Sequence, residues 1–190
     1  MVVSSFESAF QLVKGLDESV RCKDVKAITR NVQATLTDIV QSGDLRLAGR
    51  FRAVPPTGYA RRLLHRNPEL RYTALVMTWP PSHATPLHDH AGMWCVEVVV
   101  QGLMHVRRFE LQEQASNLYR FAEVENITAG VGSAGSLIPP TDYHILGNCL
   151  ADRVSITLHV YGGEMKRCHV YEPRGDDWYE RIARELEYTD

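Results

Sequence analysis

No apolar run in this sequence approaches the roughly 18 residues that a membrane-crossing helix needs, which argues against a helical span. The N-terminus lacks a basic lead followed by an apolar signal core, so a cytoplasmic chain is expected. An excess of one charge is missing too: 21 Lys and Arg stand against 23 Asp and Glu, for a formal net charge of -2. With no long basic run, neither nucleic acid nor an anionic membrane is an expected partner. Cysteine is scarce. The four present, Cys22, Cys95, Cys149 and Cys168, contain no Cys-x-x-Cys pair, so a structural zinc knot is not expected and free thiols are. There is no glycine-rich dinucleotide fingerprint, no internal repeat and no linker.

What is present describes a folded protein. At 190 residues, 44% apolar and 23% charged, the chain is expected to form one domain with a real core. The first fifty residues read as helices. Ser4-x-x-Glu7 has the form of a capping box, and Phe6, Phe10 and Val13 fall at helical spacing before Gly15. A longer helix follows Asp17 or Asp24, because Val25, Ile28, Val32, Leu36 and Ile39 recur every three or four residues up to Ser42-Gly43. That stripe is expected to lie against the outside of a sheet. From Pro55-Pro56 onward short strands alternate with turn residues, the pattern of an all-β sandwich or barrel. Trp178, Ile182 and Leu186 after Asp176 suggest a short C-terminal helix.

Candidate chemistry begins at Thr85 to Gly102. Successive strand side chains point to opposite faces, so His88 and His90 converge while Asp89 points back. Two neutral imidazoles on one extended segment can chelate a single ion. The apolar run Val96 to Val100 follows, and a histidine pair at the mouth of a buried strand is where a barrel would hold an ion or ligand. The spacing resembles the first motif of the cupin superfamily, with Cys95 where that motif carries Glu. A second stretch, Pro139-Pro140-Thr141-Asp142-Tyr143-His144 with Asn148 four residues on, resembles the second cupin motif, Thr141 replacing its glycine. Together the two stretches nominate His88, His90 and His144 as a neutral facial triad with open positions. Further on, Thr157, His159 and Tyr161 alternate with Leu158 and Val160, so the three polar side chains share one strand face. Burying such a row without partners is costly, which suggests that it lines the same cavity.

His-Asp-His, then cysteine at the glutamate position, then a third histidine, then Thr-x-His-x-Tyr resembles the cysteine dioxygenase family of thiol dioxygenases, a branch of the cupin superfamily. The resemblance covers roughly Pro55 to Pro173, including Cys168-His169. It implies a mainly β fold, a cupin-type jelly-roll barrel over 55–173; with the helices read from the residues over 1–50 and the C-terminal helix over 176–187, a single cupin domain spanning 1–190 is expected. It implies ferrous iron, Fe(2+), on His88, His90 and His144, and a thioether between Cys95 and Tyr161. It also implies an arginine that grips the substrate carboxylate. Arg61 matches that position and suits it, because a guanidinium fork makes two parallel charge-assisted bonds. Arg62 would face the other way and is the less favoured candidate.

The expected reaction adds both atoms of dioxygen to the sulfur of a small carboxylated thiol, giving a sulfinic acid, with Tyr161 oriented by His159 and Thr157 in a supporting catalytic role. Cysteine is the favoured substrate because Arg61 and Cys95 occur together. The wording His-Asp-His-Ala-Gly-Met-Trp is nearer to bacterial relatives that oxidise other thiol acids, so 3-mercaptopropionate and mercaptosuccinate stay open. A zinc or manganese isomerase on the same fold, and a cupin that binds a metal or ligand without catalysis, are the competing classes. Oligomeric state is not legible. Met77, Met93 and Trp94 are expected to be core before pocket lining.

Overall fold

The structure, a computed structural model, describes the backbone from Ser5 and the side chains from Glu7 to Asp190. Ser4 of the expected capping box lies outside the described residues. Helix α1 (Ser5–Ser19) runs on through Gly15, where an added Cβ would sit 2.9 Å from Thr35 Cγ2 of helix α2 (Val25–Gln41). Gly15 therefore permits close helix contact and is not a stop. The inward stripe of α1 is Ser8, Leu12 and Leu16, about one residue per turn, continued by Val20 just past its end, and Phe10 is exposed. Asp24 caps α2, its carboxylate accepting from the Ala27 N–H at 2.8 Å.

Eleven strands follow: β1 (Ala60–Asn67), β2 (Tyr72–Trp79), β3 (Leu87–His88), β4 (Cys95–Gln101), β5 (Met104–Ala115), β6 (Leu118–Ala129), β7 (Ala134–Leu137), β8 (Tyr143–Asn148), β9 (Ser155–Tyr161), β10 (Arg167–Gly175) and β11 (Trp178–Glu185). They make two facing sheets, one ordered β1-β2-β9-β4-β7, the other a closed ring β10-β11-β6-β5-β8-β3. This is a jelly-roll sandwich of the cupin kind with two N-terminal helices.

Strand period decides what the five-stranded sheet presents to each side. Tyr72, Ala74, Val76, Val96, Val98, Ile156, Leu158 and Val160 bury against Leu12, Leu16, Val32 and Leu36, so the helices cover its outer face. The intervening positions, Leu75, Met77, Trp79, Cys95, Val99 and Tyr161, form the inner core.

The expected C-terminal helix is corrected. Trp178–Glu185 is strand β11, paired antiparallel with β10 through Cys168↔Arg184 and Val170↔Ile182. Asp176 and Asp177 both take positive φ (51° and 59°), the geometry of a two-residue hairpin turn. Trp178, Ile182 and Leu186 are four apart, and a spacing of four keeps side chains on one face of a strand as well as of a helix. Among the described residues no helix is long and apolar enough to cross a membrane.

Candidate metal centre

His88 ends β3, His90 follows two residues on, and His144 lies on β8, directly opposite His88 in the antiparallel register. The three imidazoles meet: ring centroids are 4.5 Å apart for His88 and His144, 5.0 Å for His90 and His144, and 5.3 Å for His88 and His90. One ring nitrogen of each lies within 4.8 Å of the others. His90 and His144 are each 1% exposed. The Nε2 atoms of His88 and His144 stand 3.1 Å apart. Two ligands about 2.1 Å from one ion and at a right angle to each other are about 3 Å apart, so this separation suits a shared cation.

Two of the three rings are held by a hydrogen bond from behind. The His88 Nδ1 meets the Pro86 carbonyl at 3.1 Å, and the His90 Nδ1 meets Asp142 Oδ2 at 3.3 Å. Asp142 also accepts from the His90 backbone N–H at 3.0 Å. The Nδ1 of His144 is buried without a hydrogen bond and points toward Glu97, whose Oε1 is 3.9 Å away. With every Nδ1 turned outward, the Nε2 side faces the centre.

Burial holds His88 and His144 neutral, the form that binds a metal. Burial, with the neighbouring His90, lowers His88 to about 4. Burial, then His88 and His90, lowers His144 well below the usual imidazole range. Asp89 points back as expected: its carboxylate accepts from the His169 N–H at 2.9 Å, the Ala91 N–H at 3.1 Å and the Tyr171 hydroxyl at 3.1 Å. It thereby pins β10 behind the His-Asp-His turn. Asn148 is a clamp: its amide donates to the Trp79, Pro80 and Arg153 carbonyls.

The Thr-His-Tyr row borders the same space. Trp79 Nε1 donates to Thr157 Oγ1 at 2.8 Å, Thr157 Oγ1 meets His159 Nε2 at 2.7 Å, and His159 Nδ1 lies 3.4 Å from the Tyr161 hydroxyl. Burial, with His90 next, lowers His159 to about 3, and burial with nearby Cys95 pushes the Tyr161 phenol well up. Tyr161 thus keeps its proton as a donor. Cys95 is the cross-strand partner of Tyr161, fully buried, with Sγ 4.0 Å from His159 Nδ1. No disulfide joins the four cysteines.

Arg61 lines a small cavity with Tyr59, His88, Tyr161 and Cys168. Two of its donors are engaged, by the Met165 carbonyl at 3.1 Å and the Glu187 carbonyl at 3.2 Å. Arg62 points elsewhere, to Thr78 Oγ1 and the Asp190 carbonyl, each at 3.4 Å. Met77 belongs to the core and also lines this cavity, so the two roles coexist in one side chain.

Asp142, Trp79 and Glu97 were missed by sequence reasoning. A signal existed for Glu97: it is a single acid inside Val96-Glu97-Val98, two residues after Cys95 and hence on the same strand face. Burial pushes its carboxyl up to about 8.

A cupin sandwich whose interior gathers three imidazoles defines the class, a candidate metalloprotein. The sequence matches the family described as "Cysteine dioxygenase type I" over residues 1–174, and the chain belongs to that family. The cysteine dioxygenase type 1 of Rattus norvegicus is 20% identical over 116 residues, 61% of this chain and 56% of that protein, and that of Mus musculus gives the same figures. The match thus spans about half the length of these curated relatives. Among solved structures, TT1209 from Thermus thermophilus is 20% identical with a TM-score of 0.47, covering 61% of this chain and 93% of that one. The cupin domain of Schizosaccharomyces pombe Cnp3 is 12% identical with a TM-score of 0.42, covering 56% and 65%.

Proposed function

We propose that this protein, acting as a single cupin domain, is an iron(II) thiol dioxygenase that converts a small carboxylated thiol to its sulfinate, with cysteine as the favoured substrate. The observation that carries this reading is the convergence of three imidazoles beside a hydrogen-bonded Thr157-His159-Tyr161 row, with Arg61 in the adjoining wall. His88, His90 and His144 would hold the ferrous ion, and the 3.1 Å approach of the His88 and His144 Nε2 atoms supports a site suited to a cation. When bound, such an ion supplies Lewis acidity toward a thiolate and the electron chemistry that joins dioxygen to sulfur.

The chain's own residues do the rest. Arg61 holds the carboxylate by charge-assisted hydrogen bonds, which fixes the thiol's reach. Thr157 accepts from Trp79 and donates its hydroxyl proton to His159 Nε2, leaving the His159 Nδ1 proton to face Tyr161. The phenol proton of Tyr161 is then free to be donated to substrate or dioxygen. Met77, Trp79 and Leu146 keep water out. Atoms balance without an outside reductant, since one thiol and one dioxygen give one sulfinic acid. Cys95 and Tyr161 are suited to a thioether as cross-strand neighbours.

The cavities beside Arg61 and around the histidines measure about 30 and 20 Å³, room for a water or two. Substrate entry is therefore expected to loosen the Glu187 carbonyl from Arg61.

The test is oxygen uptake by iron-loaded protein with cysteine, 3-mercaptopropionate, mercaptosuccinate and cysteamine. Uptake with one sulfinate formed per dioxygen is expected for a carboxylated thiol and not for cysteamine, which has no carboxylate. A preference for mercaptosuccinate or 3-mercaptopropionate would change the substrate and keep the chemistry. Absence of uptake with every thiol would leave a binding cupin.

A further inference from the structure

Glu97 stands in the middle of the buried strand β4, 8% exposed, and packs no apolar surface that a valine or leucine would not pack better. Its Oε2 has no hydrogen-bond partner, and the buried Nδ1 of His144 has none either. The two groups face one another, with His144 Nδ1 at 3.9 Å from Oε1 and His159 Nδ1 at 3.4 Å from Oε2. Two buried polar atoms left unpaired in one cluster cost stability in a folded chain. A cation on the far side of the His144 ring would polarise the Nδ1–H and so strengthen a hydrogen bond from it to an acceptor behind the ring. His88 and His90 already have such acceptors in the Pro86 carbonyl and Asp142. Only the third ring lacks one, and Glu97 is the oxygen in front of it.

We propose that Glu97 is a positioning residue for the metal centre, accepting the Nδ1 proton of His144 so that Nε2 is held toward the ion, and bridging that ligand to the His159 that orients Tyr161. The inference rests on reading the three histidines as metal ligands. The same carboxyl lies on the wall of an open cavity of about 320 Å³ whose lining includes Val106, Leu146, Arg108 and Glu125.

The test compares wild type, Glu97→Leu and Glu97→Gln as metal-free proteins titrated with Co(II) against a competing chelator, with the visible ligand-field spectrum and the thermal midpoint measured alongside. Glu97→Leu should bind Co(II) about ten- to a hundredfold more weakly, with shifted bands. Its metal-free midpoint should equal or exceed that of wild type, since an unpaired buried carboxyl has gone. Glu97→Gln, whose amide oxygen still accepts the Nδ1 proton, should fall between. Wild-type affinity and spectrum in Glu97→Leu would overturn the proposal, and so would a weaker affinity that comes with a lower midpoint or a failure to fold. If wild type takes up no Co(II), the triad itself falls and Glu97 with it. Co(II) uptake together with no thiol oxidation by the iron-loaded protein would remove the dioxygenase reading and leave the role of Glu97 standing.

Discussion

At the scale of single residues, the proposed function separates groups that would hold a metal from groups that would hold a substrate, and the two should fail differently. His90 is buried, ring to ring with His88 and His144. His90→Ala should lose iron and activity together, measured by metal analysis after anaerobic loading; a fully loaded, active variant would refute the triad. Arg61→Gln should keep its iron and raise the KM for a carboxylated thiol about ten- to a hundredfold, the worth of a lost charge-assisted pair. Unchanged steady-state kinetics would take the carboxylate role away from Arg61. Tyr161→Phe should lower kcat with metal content intact, because it removes a proton donor and no ligand.

At the scale of elements, β4 and β9 are the hinge between packing and chemistry. Their even-numbered residues Val96, Val98, Leu158 and Val160 face the helices, and their odd-numbered residues Cys95, Glu97, Thr157, His159 and Tyr161 face the site. A slip of one residue would bury the wrong set, so register here is strongly determined. Gly102 guards it. It sits at φ +85°, and a Cβ there would lie 2.9 Å from Ser155 Cα and 2.2 Å from Ser155 Oγ at the start of β9. Gly102→Ala should therefore destabilise the fold by about 2–4 kcal/mol, combining left-handed strain with overpacking, as read from denaturant midpoints. A variant within about 0.5 kcal/mol of wild type would mean that the turn relaxes at no cost.

At the scale of the whole molecule, the buried site should write itself into the pH dependence of stability. Metal-free, His88 is held at about 4, His159 at about 3 and His144 well down, all against about 6.5 when unfolded. Unfolding lets them take up protons, so stability falls as pH drops from 6.5 toward 4. Glu97 acts from the other side. Raised from 4.5 to about 8, it keeps a proton that the unfolded chain releases, so stability falls as pH rises from 4.5 through 8. Three imidazoles outweigh one carboxyl between 4.5 and 6.5, which sets the maximum near pH 6.5. A series of metal-free melts across this range should show that maximum, and Glu97→Leu should lose the alkaline slope; a flat profile would contradict the burial of these groups.

Much of this architecture was legible in the residues. His88 and His90 two apart, His144 after the Pro-Pro turn, and Thr157, His159 and Tyr161 on one strand face are patterns of local period, and local period survives folding. The same logic misread the C-terminus, where a spacing of four belongs to both periods and the Asp176-Asp177 turn chose the strand. It also passed over Glu97, since a single acid in an apolar run carries no period of its own.

The sequence by itself determined a β-rich chain with helical beginnings, the faces that each strand presents, and a set of side chains suited to one metal. Tertiary structure alone decided which of them meet. Asp142 lies behind His90, Glu97 behind His144, and Arg61 rather than Arg62 borders the histidines, because strands far apart in the chain pair in one register. Side-chain direction is a local property of the backbone, whereas proximity across a barrel depends on how every intervening strand is paired.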